Sequence, residues 1–226
     1  MWERTHFLQA VFSYEYKQNI GFAAVYGELA GPESVAGDEY FRPFNTNPVT
    51  SSFVIPFLAR LREQGAGAEE FERAKAFLST SFAATGDRFA WFLLRPLAGL
   101  MGATVLWVLP GASWLGVLTL LLVYNVPQLR LRSRLWKAGG RGDSPAAEVQ
   151  RISRMSETVR RAGLAATGFA AVAVLAREPF GHPEAVGFMA LAILISLPML
   201  KRFPRSGTWI ALGFLGLTLT LNHGLR

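Results

Sequence analysis

The longest apolar stretch of the chain lies between Arg95 and Arg130, where no charged residue occurs. A helix of that length, rising about 1.5 Å per residue, is far too long for one crossing of a hydrocarbon core about 30 Å thick. The pair Pro110-Gly111, near the middle, supplies a turn. The pattern therefore predicts a helical hairpin with arms at about 89–109 and 112–131.

Three shorter apolar segments follow at 162–176, 185–200 and 208–221. Each is shorter than the roughly 20 residues of a perpendicular membrane span, and each is rich in Gly or Ala. Buried helices of a soluble protein would show the same pattern. After an apolar hairpin we interpret them as short membrane helices, which gives about five crossings.

The first 88 residues are patterned differently. Apolar residues at helical spacing predict an amphipathic helix that packs on the protein or lies in the membrane interface: Phe7, Val11, Tyr14, Phe22, Val25 and Leu29. The apolar segment 49–61 contains Pro56 and is too short to cross a membrane, which favours a re-entrant or interfacial hairpin.

A second amphipathic helix is predicted over 67–84, with Phe71, Ala74, Leu78 and Phe82 on one face. We expect Gly86-Asp87 to end it and Asp87 to cap the first spanning helix. The predicted fold is an all-α integral membrane protein. Residues 1–88 form amphipathic helices and the re-entrant or interfacial hairpin, and residues 89–226 form about five transmembrane helices.

The charge distribution orients these segments. The net charge is +7 and the isoelectric point about 10.2, which alone would suggest nucleic-acid binding. Most of that charge lies in the basic loop 130–161, and 201–207 is basic too, while the intervening turns are not. Basic loops mark the cytoplasmic side. We therefore expect residues 1–88, 130–161 and 201–207 inside, the C-terminus outside and no nucleic-acid partner, although a basic loop that binds anionic lipid or nucleic acid remains an alternative.

Few residues offer catalytic chemistry. The chain has no cysteine, and its histidines, His6, His182 and His223, lie far from one another and at no metal-ligand spacing. There is no Ser-His-Asp elbow and no phosphate-binding glycine loop, so a hydrolase or a nucleotide-driven pump is unsupported. We expect no metal, no cofactor and no catalytic phosphoryl-transfer residue of the chain's own.

Polar groups within apolar surroundings are the candidates for binding. On a helix Glu15, Gln18 and Asn19 would share one edge, and a carboxylate with carboxamides can bind sugar hydroxyls. The alternative is a solvated helix edge. Asn45 and Asn47 precede Pro48, where ordinary turn chemistry is the alternative.

Asn125 lies near the end of the second predicted span, just before Pro127. A polar group at such a position usually faces the interior of a helix bundle. The alternative is that its side chain only binds a backbone carbonyl.

Short motifs recur in a recognisable order along residues 9–140. They are Tyr14-Glu15 with Gln18 and Gly21-Phe22, then Phe44-Asn45-Thr46-Asn47-Pro48, then Gly86-Asp87, then Leu94-Arg95-Pro96 with Gly99, and finally Tyr124-Asn125-Val126-Pro127. In this order they resemble the IID component, the membrane subunit of mannose/fructose/sorbose-type phosphotransferase systems. The chain departs from the family pattern at Ser13 and at Tyr16-Lys17, where the family more often reads Asn-Tyr-Glu-Arg-Met-Gln.

The resemblance implies a multi-pass subunit of the cell inner membrane. Such a subunit pairs with a homologous IIC-type membrane subunit to translocate a hexose, which a cytoplasmic IIB protein of the IIB/IIA phosphocarrier pair phosphorylates. IID components carry no phosphohistidine. The expected substrate-binding residues are Glu15, Gln18, Asn45, Asn47 and Asn125. A membrane sensor or scaffold that keeps the IID fold without transport is the alternative.

Overall fold

A computed structural model describes residues 2–177, apart from Val11, Ser13, Tyr16 and residues 32–42. The predicted segments 185–200, 201–207 and 208–221 lie outside the described residues, as do His182 and His223. Residues 1–166 form one compact unit, to which the core and clefts below belong.

The described residues form helices and no strand, which confirms the all-α prediction. A 3₁₀ helix precedes six α-helices, with a π-helical segment before α4 and a 3₁₀ turn before α5. In chain order they are the 3₁₀ helix Trp2–Gln9, α1 Asn19–Ala30, α2 Ser51–Glu63, α3 Ala68–Asp87, the π segment Arg88–Leu94, α4 Arg95–Val108, the 3₁₀ turn Pro110–Ala112, α5 Ser113–Arg141 and α6 Pro145–Arg177.

The predicted helical hairpin is present as α4 and α5, which pack along each other. Gly102 and Gly116 allow the close approach, because a Cβ on Gly102 would lie 2.9 Å from the carbonyl oxygen of Gly116. Small residues at such contacts are typical of membrane helix pairs. Ala68–Val108 and Pro110–Arg141 are each long and apolar enough to cross a membrane.

Helix α3 ends at Asp87, as predicted, but the backbone stays helical beyond this residue. Gly86 is needed for packing: a Cβ there would lie 2.5 Å from Cβ of Asn47. Asp87 does not cap the first spanning helix, and its carboxylate accepts a hydrogen bond from Asn47. The backbone passes through the π segment and enters α4 without a break.

The core forms around α2, which packs against α1, α3 and α5. Phe53, Val54, Ile55 and Leu58 are fully buried. The ring of Phe53 stacks on that of Phe82 of α3, with centroids 4.7 Å apart. The apolar segment 49–61 is thus one core helix; the expected hairpin within it is wrong, because Pro56 lies inside a helix that stays continuous.

Helix α3 buries the residues that the periodicity placed on one face. Phe71, Leu78 and Phe82 are buried, and Ala74 packs against the core. Phe77, which lies off this face, is exposed. The predicted helix over 67–84 is therefore confirmed.

The predicted helix through Phe7 and Leu29 is interrupted between Gln9 and Asn19. Lys17 adopts a left-handed conformation with φ 57°, which a helix cannot contain. The backbone N–H of Gln18 donates to the carbonyl of Phe44 at 2.8 Å, and Lys17 forms an isolated bridge with Phe44, so the chain leaves the helical path here.

The basic region 130–161 is helical apart from a short turn. Arg and Lys are good helix formers, so a segment rich in these residues can be helical. Helix α5 runs to Arg141 and ends at Gly142, whose φ of 75° is the left-handed conformation common after helix C-termini. Helix α6 begins at Pro145, and Glu148 on it pairs with Arg134 on α5.

Candidate functional site

A buried polar junction joins the loop before α2 to the end of α3. The Asn47 amide nitrogen donates to Oδ1 of Asp87 at 2.8 Å, and the Asn47 amide oxygen accepts from the N–H of Val49 at 2.9 Å. The Thr50 hydroxyl donates to the carbonyl of Phe82 at 2.8 Å. Asn47 is only 2% exposed. The turn predicted at this motif is therefore real, and Asn47 fixes both its shape and its position against α3.

A cleft of about 340 Å³ opens beside this junction. Gln18 and Asn45 line it together with the carboxylate-bearing Asp87 and the aromatic Trp91. The Gln18 side-chain oxygen accepts from the N–H of Thr46 at 3.1 Å, so its amide oxygen is used to hold the loop. Asn45 is exposed and makes no hydrogen bond with another described residue. We call this space the first cleft.

A second cleft of about 200 Å³ lies on the other side of Pro48 and Trp91, which line both. Asn47 and Asn125 line the second cleft, along with Tyr124, Gln128 and Arg132. The Asn125 amide nitrogen donates to the carbonyl of Leu121 at 2.8 Å. The anticipated bond to a backbone carbonyl is thus present, and the same side chain also faces a cavity.

Glu15 is the predicted site residue that the structure does not bring to the others. It is exposed and lines neither cleft, whereas Gln18 is only 1% exposed. The helical edge expected for Glu15, Gln18 and Asn19 is wrong, because the chain leaves the helical path at Lys17. Gln18, Asn45, Asn47 and Asn125 are brought to two neighbouring clefts with a shared wall.

Sequence reasoning missed several residues of these clefts. Asp87 was assigned to a helix cap, and Trp91 carried no signal beyond its place in an apolar span. Arg132 was grouped with the solvated basic residues, yet it is 6% exposed and faces the second cleft. Arg132 follows Asn125 by seven residues, which is two helical turns. This spacing places both residues on the same side of α5 and is the signal that could have identified Arg132.

The clefts offer hydrogen-bonding groups beside an aromatic surface. Carboxamides both donate and accept, a carboxylate accepts, and the apolar face of an indole can pack against the C–H groups of a ring. That combination suits a neutral polyhydroxylated ligand. In the described part of the chain, no group of three His, Asp or Glu side chains is placed to hold a metal ion.

The chain matches a known protein family. Residues 1–178 match the family of PTS system mannose/fructose/sorbose family IID components. The matched region contains every residue of both clefts. No curated protein matches the chain.

Proposed function

The chain belongs to the mannose/fructose/sorbose family of phosphotransferase IID components, and from this we propose that it lines part of the path by which a hexose crosses the membrane. As a family member it is a membrane subunit of a sugar phosphotransferase system and works with other components of that system. We further propose that it pairs with a IIC-type subunit, and that a IIB/IIA phosphocarrier pair supplies the phosphoryl group.

The pair of adjoining clefts is the observation that carries the proposal. Gln18 and Asn45 in the first cleft and Asn47 and Asn125 in the second lie on either side of the Pro48–Trp91 wall. A hexose needs several donors and acceptors at once, and it has an apolar face that can pack on an aromatic ring. These side chains offer both. Glu15, exposed and outside both clefts, is proposed to act at the entrance or against the IIC-type subunit.

Exposed apolar residues on the hairpin support membrane insertion and pairing. Trp107, Trp114 and Leu122 are between 40% and 64% exposed. Such residues need lipid or another apolar surface around them. Co-expression with a IIC-type subunit should therefore raise the detergent-stable yield and give co-purification. A stable, monodisperse chain that ignores that subunit would favour the sensor or scaffold alternative.

The proposed topology has five crossings, with residues 1–88, 130–161 and 201–207 in the cytoplasm. Its basis is the alternation of basic segments along the chain. Because the chain has no natural cysteine, Asp143→Cys and His182→Cys give clean single-label variants. The two cysteines should react with a membrane-impermeant reagent from opposite sides. Reaction of both from one side would contradict the topology.

Sugar uptake tests the site most simply through Asn45. Its carboxamide lines the first cleft and bonds no described residue, so its loss should leave the fold intact. In cells that also express the IIC-type and IIB partners, Asn45→Ala should lower hexose uptake roughly 3- to 10-fold, the value of one hydrogen bond. Membrane level and pairing with the IIC-type subunit should not change.

Gln150→Ala is the matched control, because Gln150 is an exposed carboxamide on α6 that lines neither cleft. It should leave uptake unchanged. Uptake that is normal in Asn45→Ala and also in Asn125→Ala would place the sugar path wholly in the partner subunit and leave this chain a supporting role.

A further inference from the structure

Arg132 is a buried cation whose charge no described residue balances. It is 6% exposed. Its Nη1 donates to the hydroxyl of Thr5 at 3.1 Å, and Nε has no hydrogen-bond partner among the described residues. No carboxylate in the described part of the chain forms an ion pair with it. One edge of the guanidinium group is therefore unused.

The more exposed arginines nearby differ in this respect. Arg134 pairs with Glu148, Arg141 with Asp143, and Arg160 with Glu157. A guanidinium group stays protonated in proteins, and an uncompensated buried charge is strongly unfavourable. Among the described residues, the most deeply buried of these four arginines therefore has no carboxylate partner.

Arg132 lines the second cleft, and its Nε is shielded from solvent. Besides Arg132, the amides of Asn125 and Gln128 and the phenol of Tyr124 line this space of about 200 Å³. Gln128 donates one amide hydrogen to the carbonyl of Tyr124, at 3.1 Å between nitrogen and oxygen, and keeps a second. The cleft therefore presents a fixed cation together with neutral hydrogen-bond donors. These groups suit an oxyanion, and they suit a metal ion poorly.

We propose that the second cleft binds a phosphate group through the guanidinium group of Arg132. The planar fork of arginine matches two phosphate oxygens, and charge-assisted hydrogen bonds of this kind are among the stronger ones. The phosphate can be carried by a phosphorylated sugar or by a lipid headgroup, since both offer the same oxygens. The site does not depend on hexose binding in the first cleft, so a negative uptake result for Asn45→Ala leaves it standing.

Binding of inorganic phosphate to the full chain tests the proposal. The chain is kept in a non-ionic detergent that carries no phosphate, and binding of radiolabelled phosphate is measured by equilibrium dialysis against chloride at matched ionic strength. We expect saturable binding that Arg132→Gln weakens 10-fold or more. Arg130→Gln is the control: this exposed arginine lies two residues away and lines neither cleft, and its loss should change binding less than 2-fold.

Further variants separate loss of the site from loss of the fold. Arg132→Lys keeps the charge but not the fork, and Gln128→Leu removes a neutral donor while leaving Arg132 in place. Both should elute like the parent chain on gel filtration and bind phosphate several-fold more weakly. Equal phosphate binding by the parent, Arg132→Gln and Gln128→Leu would overturn the proposal.

The lipid arm distinguishes the two sources of phosphate. If the headgroup is the ligand, phosphatidylglycerol added to the detergent should suppress phosphate binding, and native mass spectrometry should find that lipid retained by the parent chain and lost from Arg132→Gln. If a soluble phosphate is the ligand, phosphatidylglycerol should have no effect. Absence of both phosphate binding and lipid retention in the parent chain would overturn the proposal, as would a carboxylate of the IIC-type subunit cross-linking to position 132.

Discussion

The N-terminal core around α2 and the α4–α5 hairpin both carry large apolar side chains, but the core buries them and the hairpin exposes them. Phe53 and Phe82 are fully buried and stacked on each other. Trp114 and Leu122 of the hairpin are 64% and 51% exposed. The core is closed by the chain itself, whereas the hairpin requires lipid or a partner around it. The buried core residues therefore stabilise the fold of this subunit, whereas the exposed residues of the hairpin contact its surroundings.

Truncation of an aromatic side chain in the core should have the largest effect on stability. Phe53→Ala should lower the free energy of unfolding by about 3–5 kcal/mol, because it removes a fully buried ring and leaves a cavity. Leu122→Ala, in the hairpin, should cost less than about 1 kcal/mol. Denaturant titration of the chain in one detergent measures both. Similar losses in the two variants would mean that the exposed face of the hairpin is covered by this chain.

A charge on the hairpin should affect membrane insertion. Leu121 is 48% exposed near the middle of the predicted apolar arm 112–131, and an arginine at the centre of a membrane span costs about 2.5–3.5 kcal/mol. Leu121→Arg should therefore reduce the membrane-inserted fraction, measured by protease protection, while Leu121→Ala should not. An inserted fraction unaffected by the arginine would place α5 outside the hydrocarbon core.

The buried junction should be more sensitive than the exposed cleft residue beside it. Asn47→Ala leaves the N–H of Val49 and the carboxylate of Asp87 without their partner, which should cost about 1–3 kcal/mol of unfolding free energy. Asn45→Ala should cost less than about 0.5 kcal/mol. Thermal unfolding in detergent measures the two variants. Equal stability would show that Asn47 is not the residue that fixes the loop.

The smallest expected effect concerns acid stability at α6. Hydrogen bonds from Arg160 and then Arg161 lower the pKa of Glu157 from 4.5 to about 2. A lowered folded-state pKa stabilises the fold above about pH 4.5, and that stability is lost as the pH falls toward 2. The parent chain should thus lose slightly more stability than Glu157→Gln between pH 6 and pH 3. Parallel pH profiles would show that this exposed cluster contributes nothing.

Sequence alone predicted the elements governed by local periodicity. The hairpin turn at Pro110-Gly111 and the buried face of α3 follow from apolar spacing and turn residues, which act over a few positions. The break before α1 could not be predicted this way. It depends on the hydrogen bond between Gln18 and Phe44, which are far apart in the chain.

The candidate site shows the same division. The sequence motifs identified Gln18, Asn45, Asn47 and Asn125, which line two adjoining clefts. Whether such an amide faces a cavity or holds a loop depends on tertiary contacts, as the different surroundings of Asn45 and Asn47 show. Arg132 is a further case: it is buried and donates a hydrogen bond to Thr5, a residue far away in the chain, and local spacing does not reveal such a contact.

Sugar protection of a cysteine in the first cleft tests the central claim most directly. Asn45→Cys is introduced into the chain, co-expressed with a cysteine-free IIC-type subunit, and labelled with a maleimide in the presence or absence of the transported hexose. The account predicts that hexose slows labelling at position 45 and does not slow it in Phe77→Cys, an exposed position on α3 outside both clefts. Labelling of Asn45→Cys at the same rate with and without hexose would contradict a sugar path through this subunit.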